Sequence, residues 1–284
     1  MTETICVTGA AGKAGRAVVD DLRRHGFLVR ATDLLVGPEQ RRDSVLQADL
    51  TDYGQAAEVL AGTDAVIHLA NIPAPGLATP ALTFNHNITM NFNVFSAATQ
   101  LGLGRVVWAS SETTLGLPFD TPPRYAPVDE DHYPLPTSTY ALSKVASETI
   151  AEQLAQWSGV PFLGLRFSNI MSAADYARFS SFWPDSQLRK WNLWGYIDER
   201  DVASACRAGL TAPAEAVAGS HSMIIAAADT CMNRPSAELL AEVYPETLLT
   251  REIGEYETLL AIDRAKDLLG WQPQHSWRDH VETE

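Results

Sequence analysis

Short runs of apolar and β-branched residues alternate along the chain with longer segments whose apolar positions recur with a helical period. Strands that are apolar throughout and separated by helices are typical of a parallel sheet covered on both faces. The pattern therefore predicts a doubly wound α/β fold. The predicted strands are residues 4–9, 27–33, 65–70, 105–111, 161–167 and 222–228. The predicted helices lie near residues 12–25, 52–61, 80–102, 137–158, 201–210, 236–243 and 263–269.

The second half of the chain is less regular. After about residue 170, Ser, Pro and Asp are mixed with three Trp, a composition typical of loops and short helices. We therefore expect a sheet domain of residues 1–170, to which residues 196–228 return, and a small lobe of residues 171–195 and 229–284. The proline-rich segment 117–136 is predicted to be a long connection without regular structure, and such connections are usually functional or disordered.

Charge and cysteine usage exclude several classes of function. The 21 basic residues are outnumbered by 35 acidic ones, which argues against nucleic acid or an anionic membrane as a partner. Cys6, Cys206 and Cys231 form no C-x-x-C pair, so neither a disulfide framework nor a metal site is expected. The start MTETICVTGAAG lacks a signal-peptide pattern, and no apolar run is long enough for a membrane span. We expect a cytoplasmic protein that acts on a small molecule.

A glycine-rich loop joins the first predicted strand to the first predicted helix. The segment VTGAAGKAG contains Gly9, Gly12 and Gly15 in the spacing G-x-x-G-x-x-G. Glycines at these points allow a tight turn, close approach of the backbone to a pyrophosphate and close packing of the helix, whose N-terminus favours an anion. The loop predicts a dinucleotide site that includes Lys13 and Ala14.

The ends of the next strands favour one dinucleotide over another. Asp33 ends the second strand, where a carboxylate can accept hydrogen bonds from the adenosine ribose hydroxyls and would repel a 2′-phosphate. NAD is therefore favoured, with a helix-capping Asp in a turn as the alternative. Three arginines keep NADP open, namely Arg30, Arg41 and Arg42. Asp49 and Leu50 end a third strand, where Asp49 either meets the adenine amino group or caps the helix from residue 52.

The segment TSTYALSK places Tyr140 and Lys144 on one face of a predicted helix. A positive charge ~5 Å from a phenol, at an effective dielectric of ~20, lowers the phenol pKa by roughly two units. With the positive nicotinamide ring of an oxidised cofactor nearby, Tyr140 is expected to take the proton of a substrate hydroxyl while hydride leaves the same carbon. Ser111 ends the predicted strand of residues 105–111, at the ligand-binding edge of the sheet, and is expected to orient that hydroxyl.

Four segments resemble, in their order along the chain, motifs of the extended short-chain dehydrogenase/reductase superfamily, in its NAD-dependent epimerase/dehydratase branch. They are TGAAGKAG, SSETTLG, YALSK and LRFSNI, and YIDERDVA follows them. The resemblance covers nearly the whole chain and implies a Rossmann fold with a small C-terminal substrate lobe. It implies that Ser111 orients the substrate, that Tyr140 is the acid/base, and that Lys144 binds the nicotinamide ribose and modulates the tyrosine pKa.

The resemblance implies further contacts and an assembly. The matching cofactor positions are Leu69, Ala70, Asn71, Asn87, Ser110 and Phe167. Asn169 matches a position that flanks the substrate. The family also implies a homodimer in which the helices near residues 80–102 and 137–158 of two copies form a four-helix bundle.

Departures from the family motifs narrow the reaction and the substrate. The Glu that removes a second proton in 4,6-dehydratases falls on Thr113 here, so dehydration is disfavoured. The segment between LRFSNI and YIDERD is shorter than in nucleotide-sugar epimerases. It is more similar to that of uronate dehydrogenases, which hold the carboxylate of a free sugar acid with an arginine. Arg178 or Arg189 is the candidate for that role, whereas a carboxylate at Glu112 argues against an acidic substrate.

Two classes of function remain open. The first is an NAD-dependent oxidoreductase or epimerase that transfers hydride on a sugar, a nucleotide sugar or a related small hydroxy compound, including uronate-dehydrogenase-like oxidation of a free sugar acid. The second is a redox sensor that binds NAD without turnover, which the intact Tyr140 and Lys144 disfavour.

Several other polar and aromatic residues are interpreted as structural. Trp183, Trp191 and Trp194 are expected to pack in the lobe rather than to stack on a sugar, because Trp is largely buried wherever it occurs. His68 and Asp198 are interpreted in the same way. Asp201 is expected to cap the helix that follows it.

Overall fold

The computed structural model describes residues 2–132 and 134–280. Within these residues the strands are β1 (Thr4–Thr8), β2 (Leu28–Asp33), β3 (Leu46–Gln47), β4 (Ala65–His68), β5 (Val106–Ser111), β6 (Tyr125–Ala126), β7 (Phe162–Phe167), β8 (Ile170–Met171), β9 (Ile197–Asp198), β10 (Ser220–Ile225) and β11 (Leu248–Leu249). The helices are α1 (Lys13–Arg24), α2 (Pro38–Arg42), α3 (Tyr53–Leu60), α4 (Pro80–Gln100), α5 (Thr139–Ser158), α6 (Glu199–Thr211), α7 (Ser236–Val243) and α8 (Asp263–Leu269).

Seven of the described strands form one sheet, in the order β3-β2-β1-β4-β5-β7-β10, and every neighbouring pair is parallel. This order is that of a doubly wound Rossmann fold, so the predicted fold class is confirmed. The strand order reverses between β1 and β4, and in such sheets ligands bind in the crevice beyond the carboxyl ends of the strands at that point. The loops after β1, β4 and β5 therefore border the candidate site.

Helices cover both faces of the sheet. Helices α1 and α6 pack together on one face, while α3, α4 and α5 pack on the other. Successive side chains of a strand point to opposite faces of the sheet. In β1, Ile5 and Val7 therefore belong to one apolar cluster and Cys6 to the other. The near-continuous apolar strands of the sequence follow from this arrangement, since each strand is buried on both sides.

The start of α5 is fixed by its local sequence. The Ser138 side chain accepts a hydrogen bond from the Ala141 amide at 3.1 Å, which caps the first turn. The helix ends at Gly159, whose φ of +74° is accessible to glycine without strain. This capping places Tyr140 in the first turn, beside the carboxyl end of β5.

The connection 117–136 is not structureless, which corrects part of the prediction for it. Strand β6 pairs in parallel with β11, and Val128 forms a bridge with Leu260. A two-residue strand has little local signal, because its partner lies far along the chain. Tyr133 of this connection lies outside the described residues.

A third apolar cluster, besides the two on the faces of the sheet, contains many residues of the lobe. It combines residues from the connection after β5, from the irregular segment after β8, and from the C-terminal part of the chain. Leu115 and Phe119 thus pack with Phe179, Trp194 and Trp277. The lobe is anchored on the connection that precedes α5, so the two elements hold each other beside the crevice.

Candidate active site

The glycine loop is shaped for close approach of backbones. Gly9 has φ +69°, and a Cβ built on it would lie 2.7 Å from the Ala70 nitrogen. A Cβ on Gly15, in the first turn of α1, would clash with the carbonyl oxygen of Gly9. These two glycines let the loop after β1 pack against the loop after β4 and let α1 begin directly beneath it. Gly12, Lys13 and Ala14 lie at the N-terminus of this helix.

Asp33 lies against the glycine loop. Its Oδ2 accepts a hydrogen bond from the Ala11 amide at 2.9 Å. The carboxylate therefore lies beside the loop, as the prediction of a ribose contact for Asp33 requires. Two of the arginines that could have bound the 2′-phosphate of NADP have hydrogen-bond partners within the protein. Arg30 donates to the Val59 carbonyl at 3.1 Å, and Arg41 donates to Gln47 Oε1 at 3.2 Å. The Arg42 side chain lies outside the described part of the chain.

The residue that caps α3 is Asp52, not Asp49. Asp52 accepts from the Gln55 amide at 3.0 Å. Asp49 Oδ1 instead accepts from the amide and the hydroxyl of Thr51, at 2.9 and 2.7 Å, and these bonds lower the pKa of Asp49. The capping alternative for Asp49 is therefore wrong. Leu50 beside it is buried.

A chain of buried hydrogen bonds links the glycine-loop strand to the helix that carries Tyr140. His68 Nδ1 lies 2.7 Å from Thr8 Oγ1, His68 Nε2 lies 2.9 Å from Asn91 Oδ1, and Asn91 Nδ2 donates to Ser147 Oγ at 2.7 Å. The Thr8 hydroxyl also accepts from the Leu69 amide at 3.2 Å, so its proton is directed to the His68 ring. Nε2 then carries the ring proton and donates to Asn91. Burial lowers the pKa of His68 to about 3, which keeps the ring neutral.

Asn87 holds the loop after β4. Its side chain accepts from the Ile72 amide at 2.8 Å and donates to the Ile72 carbonyl at 3.1 Å. This reciprocal pair shapes the segment that contains Leu69, Ala70 and Asn71, which passes over the crevice.

Thr8, Asn91 and Ser147 were not identified from the sequence, since each is an ordinary polar residue until the fold brings it to its partners.

Ser111, Tyr140 and Lys144 come together at the carboxyl end of β5. The three residues are 6%, 7% and 1% exposed, in that order. Lys144 Nζ donates to the Ala109 carbonyl at 2.7 Å and lies 5.6 Å from the centre of the Tyr140 ring. The Ser111 Oγ accepts from the amide and the hydroxyl of Thr113, at 3.2 and 3.0 Å. A hydroxyl donor, a phenol and an amine therefore border one end of the crevice.

The proton affinities of this group differ from the sequence expectation. The pKa of Tyr140 is raised to about 12, mainly by burial and to a smaller extent by the charge of Glu112, against a lowering by the Ser111 hydrogen bond. Burial also lowers the pKa of Lys144 to about 7, against a rise caused by Glu148. In the protein alone, desolvation therefore outweighs the help that the lysine charge gives to the phenolate. Positive charge from outside the chain is needed to bring the tyrosine pKa toward neutrality.

A buried ion pair lies one turn beyond Lys144. Arg166 Nε and Nη2 donate to the two oxygens of Glu148 at 2.9 and 2.8 Å, and Ser110 Oγ donates to Glu148 Oε1 at 2.6 Å. The pair joins α5 to β7, and its carboxylate faces the lysine. Ser110, which the resemblance places at the cofactor, is held here by α5. Neither Glu148 nor Arg166 was singled out from the sequence.

The residues predicted to contact the substrate lie in or near the lobe. Arg189 is buried, and its guanidinium lies over the rings of Phe182 and Trp191 at 5.2 and 4.9 Å. Arg189 also donates to the Asn169 amide oxygen at 3.2 and 3.3 Å, with that amide oriented as an acceptor. Glu112 is 3% exposed and points into the same region. Arg178 is exposed on a 3-10 helix, Ala173–Ser181.

Comparison with known proteins places the chain in a family. A model of the NAD-dependent epimerase/dehydratase family matches residues 5–224. The chain belongs to this family. The family resemblance inferred from the sequence motifs is confirmed, and NAD is the cofactor.

Individual relatives of this family member differ in activity. A UDP-glucose 4-epimerase of Lacticaseibacillus casei is 23% identical over 98% of this chain and 94% of its own length. An L-arabinose 1-dehydrogenase (NAD(P)(+)) of Haloferax volcanii is 32% identical over 60% of this chain and 68% of its own. A solved structure of a mutated uronate dehydrogenase is 22% identical, has a TM-score of 0.69, and matches 99% of this chain and 86% of that one.

The residues of this family member fit NAD. Gly9 and Gly15 leave no room for a side chain, which brings the loop backbone to the helix N-terminus where a pyrophosphate binds. Asp33 lies beside that loop, where its carboxylate accepts a hydrogen bond from the Ala11 amide. Phe167 is the last residue of β7 and pairs with Ser111 at the end of β5.

The capping role predicted for Asp201 is wrong, whereas the structural interpretations of Asp198 and of the aromatic residues agree with the packing. Asp198, not Asp201, caps α6, by accepting from the Arg200 amide at 2.8 Å. Asp201 is buried and accepts from the amides of Gln274 and His275, at 3.0 and 2.9 Å, so it holds the C-terminal segment. Trp194 is fully buried in the lobe core, and Trp183 and Trp191 pack against that core.

Over residues 2–132 and 134–280, no helix is both long enough and apolar enough to cross a membrane. The same residues contain no group of His, Cys, Asp and Glu side chains arranged to hold a metal ion.

Proposed function

We propose that this protein is an NAD-dependent oxidoreductase or epimerase that transfers a hydride between NAD and a hydroxyl-bearing carbon of a sugar or a related small compound. The observation that carries the proposal is the convergence of Ser111, Tyr140 and Lys144 on the crevice next to the glycine loop. The activities of the relatives support it, since the named epimerase and the arabinose dehydrogenase both act on sugars or sugar nucleotides.

In this proposal each side chain moves or holds a proton at a stated atom. The Ser111 hydroxyl hydrogen-bonds the substrate oxygen, and the Tyr140 oxygen takes its proton during oxidation or returns it during reduction. Lys144 binds the nicotinamide ribose and stabilises the phenolate by its charge. Bound NAD⁺ supplies the hydride acceptor and a positive ring that offsets the cost of ionising a buried tyrosine. The buried site keeps water from the transferred hydride.

The other residues inferred from the sequence have proposed contacts along the cofactor and substrate. Those on the dinucleotide are Gly9, Gly12, Lys13, Ala14, Gly15, Asp33, Asp49, Leu50, Leu69, Ala70, Asn71, Asn87, Ser110 and Phe167. The polar residues on the substrate side are Asn169 and Arg189, with Arg178 at the exposed margin. We propose the same division of the chain as before, with residues 171–195 and 229–284 as the substrate lobe, of which 281–284 lie outside the described residues.

We further propose a homodimer that packs α4 and α5 of two copies into a four-helix bundle. These helices contact each other along their length, and each exposes large apolar side chains. Phe92 on α4 is 47% exposed and Leu142 on α5 is 45% exposed. A cytoplasmic location is also proposed, and it is supported by three buried cysteines that form no disulfide.

An absorbance scan at the reduced-nicotinamide band tests the proposed reaction. Protein with NAD⁺ is offered free sugars and nucleotide sugars, and the products are analysed alongside. Net NADH identifies a dehydrogenase, and an altered sugar without net NADH identifies an epimerase. Tight NAD binding with no turnover of any sugar would instead support a redox sensor and would refute the proposal.

A further inference from the structure

Glu112 lies one residue beyond Ser111, at the start of the 3-10 helix Glu112–Leu115. It is a buried carboxyl group within the candidate substrate site. Its Oε1 accepts from the Asn192 amide nitrogen at 3.2 Å. Its Oε2 has no hydrogen-bond partner among the residues that the structure describes. Because Ser111 must reach the reacting hydroxyl, a side chain on the next residue lies within reach of the rest of a small substrate.

Polar atoms from two other segments, residues 168–169 and Asn192, face the same carboxyl. Burial raises the pKa of Glu112 to about 7, and the Ser168 hydroxyl, the Asn192 side chain and the Asn169 backbone lie close enough to lower it. In the described part of the chain, Ser168 Oγ, Asn192 Oδ1 and Arg189 Nε also lack partners, although all three are buried. Buried polar atoms in native proteins are nearly always hydrogen-bonded, so a cluster that is short of partners is suited to a ligand rich in hydroxyl groups.

When Glu112 is ionised, the charge of this cluster is balanced. Arg189 is the cation whose charge lowers the pKa of Glu112 and so favours its ionised form. Its guanidinium is held by the Gly195 carbonyl at 3.1 Å, by Asn169, and by the two aromatic rings on which it lies. Ionised Glu112 and Arg189 thus form one negative and one positive group among buried residues. A substrate carboxylate would add a second negative charge that no new cation offsets.

We propose that Glu112 is a specificity-determining residue, which accepts hydrogen bonds from the hydroxyls of an uncharged sugar and excludes sugars that carry a carboxylate. The inference rests on the proposed function and deepens it, by assigning this site a neutral sugar rather than a sugar acid. Ser168 and Asn192 complete the hydroxyl-binding set. Arg189 holds the charge of Glu112 in place and does not receive a substrate acid.

The test compares two sugars that differ in one group. The kcat/KM values for D-galactose and D-galacturonate are measured with saturating NAD⁺ in wild type and in Glu112→Gln, which keeps the shape and removes the charge. The measurements are made at pH ~9, about two units above the pKa of about 7 that burial gives Glu112, so that its carboxyl is ionised. Glu152→Gln, an exposed change on α5, is the control for a lost negative charge. Two like charges about 5 Å apart at an effective dielectric of 20 alter binding on the order of 100-fold. Wild type should prefer galactose, and Glu112→Gln should reduce that preference on the order of 100-fold while the control retains it.

Equilibrium binding separates failure of this inference from failure of the proposed function. Binding of both sugars to the NAD⁺ complex is followed by calorimetry in the same variants. Preference of wild type for galacturonate, or an equal ratio in wild type and Glu112→Gln, overturns the inference while the enzyme stays active. Binding of neither sugar overturns the inference too. If NAD⁺ binds and neutral sugars bind without being converted, the proposed reaction fails and the assignment of Glu112 stands.

Discussion

Burial opposes the charged forms of both Tyr140 and Lys144. The pKa of the tyrosine is about 12 and that of the lysine about 7 in the protein alone, each shifted mainly by desolvation. The phenol is therefore protonated at neutral pH, and the lysine carries only part of its charge. Glu148, itself paired with Arg166, raises the lysine pKa and so favours the ammonium that the mechanism needs. Ionisation of the tyrosine then depends on the charge that arrives with NAD⁺.

His68 should make the protein less stable in mild acid. Its pKa falls from about 6.5 in the unfolded chain to about 3 in the fold, so only the unfolded state binds a proton between these values. The stability that the neutral ring contributes is present at pH 7 and is lost as pH falls, at up to ~1.4 kcal/mol per pH unit. His68→Gln, which retains a donor and an acceptor, should flatten that slope between pH 7 and pH 5.

Urea unfolding at several pH values checks this expectation. His221→Gln is the matched control, because His221 is only partly buried and bonds a single backbone carbonyl at 2.9 Å. It should keep the wild-type slope. An identical slope in His68→Gln and wild type would show that His68 is not the proton-linked group.

At the scale of elements, the sequence pattern located the central strands and most helices to within a few residues. Their apolar runs are set by burial on both faces of the sheet, which is a local signal repeated in every strand. The pairs β6–β11 and β8–β9 were missed because two-residue strands exist only through a distant partner. Asn91 and Ser147 were not identified from the sequence for the same reason, because their hydrogen bond joins residues 56 positions apart. Tyr140 and Lys144 were visible because both lie in one helix.

Alanine substitutions at Gly12 and Gly15 of the glycine loop should have different effects on stability. A Cβ at Gly15 would clash with the Gly9 carbonyl, whereas a Cβ at Gly12 would approach that same oxygen only to 3.3 Å. Gly15→Ala should lower both the free energy of unfolding, by roughly 2 kcal/mol or more, and the affinity for NAD⁺. Gly12→Ala should leave the free energy of unfolding nearly unchanged and weaken NAD⁺ binding at the helix N-terminus.

Thermal unfolding and calorimetric titration with NAD⁺ separate these effects. Equal stability losses in the two variants would mean that the loop does not have the packing described here. Unchanged NAD⁺ affinity in both would place the dinucleotide elsewhere.

At the scale of the whole molecule, the apolar surface of α4 and α5 predicts the assembly. Phe92→Glu places a charge where the four-helix bundle would bury a ring, and it should convert a dimer to a monomer. Leu248→Glu, at a position 65% exposed on β11, is the control and should leave the dimer intact. Light scattering during size-exclusion chromatography measures the mass. A wild-type monomer, or a dimer that survives Phe92→Glu, would contradict the bundle.

The central claim is that a tyrosine fixed by the capped start of α5 exchanges a proton with a sugar hydroxyl while NAD takes the hydride. The most direct test compares Tyr140→Phe with wild type, measuring NAD⁺ affinity by calorimetry and single-turnover NADH formation with a sugar that wild type converts. Loss of general base catalysis typically slows a reaction ~100- to 10,000-fold. We expect hydride transfer to slow by that order while NAD⁺ affinity stays within a few-fold of wild type. An unchanged rate of hydride transfer would contradict the mechanism.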